Sequence, residues 1–490
     1  MKKWSVTMTP KQSLDWLRRF ELSYSNVNHR FCNVDCWPIV RNTILSKINA
    51  ASSASEAPKK NNFRFRSLCV MIWCSLKSLA TLFKTKNADI FILSDNKFSE
   101  KIENNLYLND AHAISDLAES KGESSLIALQ GKYIDSRIVK RNRCVSIYII
   151  IVISAFISRL SFLFFLFPAL IKYINNITKS LNAHFVSSDY GDYHVEEKQL
   201  LRNIIFCIVA STLFSLILKR INPSRTYVVC YYSLIGMAFC SACNRLEIPV
   251  SDLQHGVSGR NMRAYSNWNN CPEYGYTTLP KYFLTWTRYD TKAINDTLND
   301  RNGFHCAITS GHIWEIFKEK FGLDLLVRDE WSEFLSVLTH YKRKIVVTLQ
   351  SSSIPENIFN IINDCGSDCC FLIRAHPNFS TGFEMEQLLK LESDYANVLV
   401  SKPTQVPIQL LMSIADVNIT GWSASVYDAY FEGVRSIVVT KFGLDYFSDF
   451  IDDFFVVYTE DVEKIKKYAL NLTVFTPLVD KEIDDLLDFL

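Results

Sequence analysis

The sequence lacks an excess of either charge: 53 lysines and arginines face 51 aspartates and glutamates, a net charge of +2. Without a basic field to meet a phosphate backbone, nucleic-acid binding is disfavoured. Glycine signatures of the common nucleotide sites are missing too. No GxxxxGK and no GxGxxG string occurs, which removes the main support for a kinase or a dinucleotide-dependent dehydrogenase. The absence of an Asp-x-Asp cluster points to metal-independent chemistry, and no cofactor is implied. The 14 cysteines are scattered. The close groups Cys32/Cys36, Cys240/Cys243 and Cys365/Cys369/Cys370 have no second pair or histidines at zinc-ligand spacing, so they read as reduced thiols that pack as small apolar residues. Residues 1–20 start basic but carry no apolar run behind the charges, which predicts a protein that is not secreted and stays in the cytoplasm. No internal repeat of fixed period is present.

What is there is a 490-residue chain, 48% hydrophobic and 21% charged, too long for one growing core and balanced enough to fold along most of its length. Two domains are expected. Residues 1–80 read as a helical extension and linker, 81–325 as a first Rossmann-like domain, 326–475 as a second, and 476–490 as an amphipathic C-terminal helix. One stretch stands apart. Val145–Ile171 is apolar and aromatic, long enough to cross a hydrocarbon core of roughly 30 Å. Arg159 lies at its centre and Pro168 near its end, which weakens a crossing helix, while the flanking Lys140, Arg141, Arg143 and Lys172 suit a membrane surface. Peripheral contact with the inner membrane is the expectation, with buried core helices or a true span as the alternatives.

Short apolar runs ending in polar loops alternate with helical stretches. Ala88–Ser94 reads as a buried parallel strand. Tyr227–Tyr232, a turn, a helix over Met237–Leu246 and a strand over Ile248–Leu253 form a βαβ unit that ends in Gln254-His255-Gly256. A second series follows. Strands are expected at Lys344–Leu349, Cys369–Ile373, Val398–Val400, Asp416–Thr420 and Ser436–Thr440, with helices after the first and fourth and Gly433 as a helix C-cap.

Loops that leave the carboxyl ends of parallel strands face the ligand crevice of an open sheet, so the residues in them are site candidates by position. His255 is followed by Gly256, which permits a tight turn, and is the candidate general base. Arg374 and His376 leave one strand end together and suit a phosphate. Ser423 and Ser425 open a helix directly after a strand, where free amides and hydroxyls favour an anion. Gln350 and Ser351 offer further donors at the first turn of the second series, and Asp428 lies within the helix that Ser425 begins.

The string Ile414–Asp428, with Gln254-His255-Gly256 and Arg374-Ala-His376-Pro377 ahead of it, resembles the motif order of CDP-glycerol glycerophosphotransferases and related bacterial glycosyltransferases of the GT-B fold. The His-Pro and serine motifs are also similar to those of bacterial sialyltransferases. The resemblance covers roughly residues 225 to 450 and implies two Rossmann-like domains facing a cleft. It puts the base at His255, donor-phosphate contacts at His376 and Ser423, and the helix acid at Asp428. Gly421 and Ala424 depart from the usual Asp and Ser of the serine motif, and the sialyltransferase acidic base motif is absent. Trp37-Pro38-x-x-Arg41 resembles a segment of proteins from capsule and O-antigen gene clusters. Together these imply a glycosyltransferase moving a sugar from a nucleotide-sugar donor to a glycan or lipid-linked glycan acceptor. The alternatives are a polyol-phosphate transferase of CDP-glycerol type and a non-catalytic nucleotide- or sugar-binding scaffold.

Overall fold

In a computed structural model, residues 8–24, 27–52, 65–84, 87–160, 167–188, 190, 193–298, 300, 302–350, 354, 356–366, 368–376, 383–451, 453 and 455–476 are described. Contacts divide the chain into two units, with the division between Phe317 and Lys318, inside the helix Ile313–Lys320.

The first unit is built on a seven-stranded sheet. Its strands are β1 (Ile90–Ser94), β2 (Ser125–Leu129), β3 (Cys144–Ser146), β4 (Arg225–Val229), β5 (Val250–Leu253), β6 (Tyr282–Thr285) and β7 (Cys306–Thr309). All neighbours are parallel, and the order across the sheet is β7-β6-β5-β4-β1-β2-β3. Every residue of β1 is buried, as a central parallel strand covered on both faces requires. The helices Pro10–Ser23 and Cys36–Ser52 are no appendage: Trp16, Phe20, Trp37 and Ile44 belong to the same apolar cluster as Phe91, Val228 and Val250 of the sheet.

The second unit carries six parallel strands: β8 (Arg343–Thr348), β9 (Cys369–Arg374), β10 (Val398–Leu399), β11 (Val417–Thr420), β12 (Ser436–Val438) and β13 (Val456–Tyr458). Their order is β10-β9-β8-β11-β12-β13. Gly433 follows the helix Ser425–Phe431 with φ 71°, the left-handed conformation a C-cap glycine supplies.

Both units are therefore Rossmann-like. Numbered within its own sheet, each begins in the order 3-2-1-4-5-6 and reverses winding between its first and fourth strands, β1 and β4 in one unit and β8 and β11 in the other.

The apolar run Val145–Ile171 does not form one helix. Val145 and Ser146 end β3, Tyr148–Ile157 is helical, a turn follows at Ser158–Arg159, and a new helix runs Pro168–Val186, with 161–166 outside the described residues. The proposed C-terminal helix also lies outside them beyond residue 476.

Candidate functional site

In the first unit the winding reverses where β1 delivers Ser94–Phe98 and β4 delivers Cys230–Ser233, with the end of β5 beside them. His255 stands at that edge. Its ring stacks on Tyr232, centroids 5.5 Å apart, and meets the edge of Phe98 at 4.9 Å. Nδ1 is 3.4 Å from the Leu253 carbonyl and Nε2 is 3.0 Å from the Tyr232 hydroxyl. A carbonyl only accepts, so these partners assign the proton to Nδ1 and the lone pair to Nε2, with the tyrosine hydroxyl donating. Burial pushes the His255 pKa down to about 4, and Lys97 works in the same direction. At neutral pH the residue is an uncharged imidazole, able to accept a proton.

The loop is held from three sides. Gln254 accepts from the Trp286 amide at 2.6 Å and donates to the Gly256 carbonyl at 2.9 Å, bracketing His255. Asp252, buried in β5, accepts from the Tyr231 amide at 2.9 Å and ties the turn after β4 to β5; desolvation raises its pKa to about 8. That turn is tight. A Cβ on Gly236, in the first turn of the helix Leu234–Arg245, would lie 2.6 Å from the carbonyls of both Cys230 and Tyr231.

The third support comes from the helix Cys36–Ser52, which carries Arg41 of the Trp-Pro-x-x-Arg segment and its neighbour Asn42. Asn42 donates to the Tyr232 carbonyl at 2.7 Å. Arg41 is 1% exposed and donates to the carbonyls of Ser266 (2.7 Å), Asn267 (2.8 Å) and Arg263 (3.4 Å), in the segment that follows His255. Its guanidinium lies 4.0 Å over the Trp268 ring and 3.7 Å from the Glu21 carboxylate. Glu21 in turn accepts from Trp37 and Asn269, each at 2.9 Å. The Trp-Pro-x-x-Arg segment is thus a buried fastening for the His255 loop.

In the second unit the reversal falls between β8 and β11. Thr420 donates to the Thr348 carbonyl at 2.9 Å and accepts from the Ser423 amide at 3.1 Å, while the Ser423 hydroxyl accepts from the Ser425 amide at 3.2 Å. Ser425 is buried with its hydroxyl 2.7 Å from that of Thr348. It is a strut between helix and sheet, whereas Ser423 and Gln350 are only partly buried. Ser351 lies outside the described residues, as does Pro377.

Arg374 and Asp428 are brought together. Burial raises the Asp428 carboxyl to about 7, against the pull of Arg374 and Lys318, and Gln409 donates to it at 3.1 Å. Arg374 is not a loose phosphate ligand: its Nη1 donates to the carbonyls of Pro403, at 2.7 Å, and Val406. Burial lowers the pKa of half-buried His376, which favours the uncharged imidazole.

One group of metal-ligand types occurs among the described residues, Cys271, Asp300 and His305, with candidate ligand atoms within 4.8 Å of one another. Both His305 ring nitrogens already serve the chain, Nε2 facing the Tyr276 amide at 2.9 Å and Nδ1 the Pro280 carbonyl at 2.7 Å. It is a loop fastening.

No protein-family model matches this chain significantly, and no curated protein does. Among solved structures it is similar to the UDP-GlcNAc 2-epimerase of Methanocaldococcus jannaschii in complex with UDP-GlcNAc and UDP, at 12% identity over 82% of this chain and 99% of that one, TM-score 0.46. It is similar to the UDP-GlcNAc 2-epimerase of Neisseria meningitidis bound to UDP-GlcNAc, at 12% identity over 77% and 89%, TM-score 0.44. A third is a variant of the wall teichoic acid polymerase TagF, at 10% identity over 87% and 91%, TM-score 0.43.

Proposed function

We propose that the chain is a metal-independent glycosyltransferase that moves a sugar from a nucleotide-sugar donor to a surface-polysaccharide acceptor, of capsule or O-antigen type. The observation that carries the reading is the neutral His255 imidazole at the switch point of the first sheet, in a chain whose second sheet has a switch point of its own between the strand ends that lead to Gln350 and Ser423. Switch points of open parallel sheets are where such folds hold nucleotides. In the transfer, the acceptor oxygen forms its bond to the anomeric carbon as the bond to the donor phosphate breaks. His255 Nε2 takes the acceptor proton, and the phosphate leaves with the electron pair. The Tyr232 hydroxyl must yield Nε2 to the acceptor, and the negative charge of a bound donor raises the proton affinity of the imidazole. In the second unit, taken by itself, Gln350, His376 and Ser423 are donors suited to a phosphate, and Ser425 ties its helix to β8.

One observation favours a second reading, a non-catalytic nucleotide- or sugar-binding scaffold: Tyr232 occupies Nε2 at 3.0 Å. Release of free nucleotide from CMP-, CDP-, UDP- and GDP-linked donors, with and without membrane extract, separates the two. Turnover of one donor supports the transferase; folded protein that turns over none supports the scaffold.

A further inference from the structure

Three helices of the first unit, Phe65–Lys84, Tyr148–Ile157 and Glu197–Ile221, form a half-open cavity of about 230 Å³ lined by Leu79, Leu82, Ile153, Leu213 and Leu216, with Arg220 among its walls. The short helix is apolar around nearly its whole circumference and bears no charge; Ile150 and Ser154 are buried, the rest are partly buried, and Phe156 is exposed. A helix of that composition is stable when covered on all sides. The neighbouring helices extend the open apolar surface: Trp73 is 70% exposed and Leu216 62%, with Phe156 of the short helix at 63%. Large exposed apolar side chains on neighbouring packed helices mark a candidate interaction site.

The charges around it narrow the partner. Phe65–Lys84 carries Lys77 and Lys84 and no acid, and Glu197–Ile221 ends in Lys219 and Arg220. The one carboxylate on the three helices is Glu197, roughly 35 Å along its helix from Arg220. Apolar and aromatic side chains beside cations, without acids, suit the boundary between acyl chains and anionic headgroups. We propose that this face seats on an anionic phospholipid bilayer, with an acyl chain entering the cavity and Arg220, Lys219 and Lys77 meeting headgroup phosphates. The proposal does not depend on the transfer chemistry.

Co-sedimentation of the full chain with vesicles tests it. Wild type is expected to bind vesicles of equal parts phosphatidylglycerol and phosphatidylcholine, to bind phosphatidylcholine alone less, and to release partly in high salt as the headgroup charge is screened. Trp73→Asp and Leu216→Asp alter exposed side chains, so both should melt as wild type does while their partition falls about tenfold or more. Absence of wild-type binding to either vesicle overturns the proposal, as does undiminished binding of well-folded variants. A wild-type dimer that Leu216→Asp converts to monomer assigns the face to a second copy and equally overturns it. Nucleotide-induced thermal shifts of the variants, read without vesicles, report on donor binding separately.

Discussion

Replacing Arg41 by Met removes a guanidinium whose charge is compensated inside the fold and leaves its partners behind. The Glu21 carboxylate, 3% exposed, loses a cation at 3.7 Å, and three carbonyls between Arg263 and Asn267 lose donors. Breaking a buried ion pair from one side costs about 3–5 kcal/mol, and buried acceptors left without donors cost about 1–3 kcal/mol each, in part overlapping with that figure. Against a total stability of about 5–15 kcal/mol for a domain, the loss is severe. Arg41→Lys keeps the charge but not the fork that reaches three carbonyls, so it recovers only part. Urea unfolding followed by tryptophan fluorescence measures this. An Arg41→Met protein within about 1 kcal/mol of wild type refutes the reasoning, because it would mean that Glu21 and the carbonyls find water or new partners at little cost.

Other predictions follow from the same geometry. The raised Asp252 pKa, about 8, makes folding favour the protonated form, so its contribution is complete below the unfolded value near 4 and is lost as pH rises through 8. Asp252→Asn should therefore lessen the fall in stability between pH 6 and 8 by roughly 2 kcal/mol in denaturant titrations, and an unchanged slope counts against a buried neutral carboxyl. Ser425→Ala, which removes the strut to Thr348, should lower stability by about 1 kcal/mol without altering nucleotide affinity in calorimetry; a loss of affinity alone would return Ser425 to the phosphate. His376→Ala should weaken nucleotide binding about tenfold, since a hydrogen bond to a charged group is worth roughly 1.5–3 kcal/mol, and an unchanged dissociation constant in folded protein would place the phosphate elsewhere.

The sequence made the second unit legible almost strand by strand, because its strands are unbroken apolar runs between polar turns. Lys344–Leu349 and Cys369–Ile373 recur within a residue as β8 and β9. The first unit was harder. β3 is three residues long and adjoins the apolar helix Tyr148–Ile157, so the two read as one hydrophobic run, and β6 and β7 are four-residue strands between irregular loops. Position at strand ends marked His255, Arg374 and His376, but periodicity carries no record of which partners close around them. Nothing local to Ser425 distinguished a hydroxyl turned to Thr348 from one offered to a ligand. Arg41 and Glu21 were hidden for the same reason, since the carbonyls that Arg41 serves lie more than two hundred residues away in sequence. Tyr232 does carry a signal in the sequence: it lies one strand end away from His255 in a parallel βαβ unit, where side chains of adjacent loops meet.

The central claim is that His255 removes the acceptor proton in a transfer from a nucleotide sugar. Nucleotide release by wild type and by His255→Ala should be compared with the donor that the wild type turns over, alongside the donor dissociation constant of each. A general base contributes about 10² to 10⁴ in rate and acts on the acceptor, so the account predicts turnover lower by that factor with donor affinity within about twofold of wild type. Turnover of His255→Ala equal to that of wild type contradicts it.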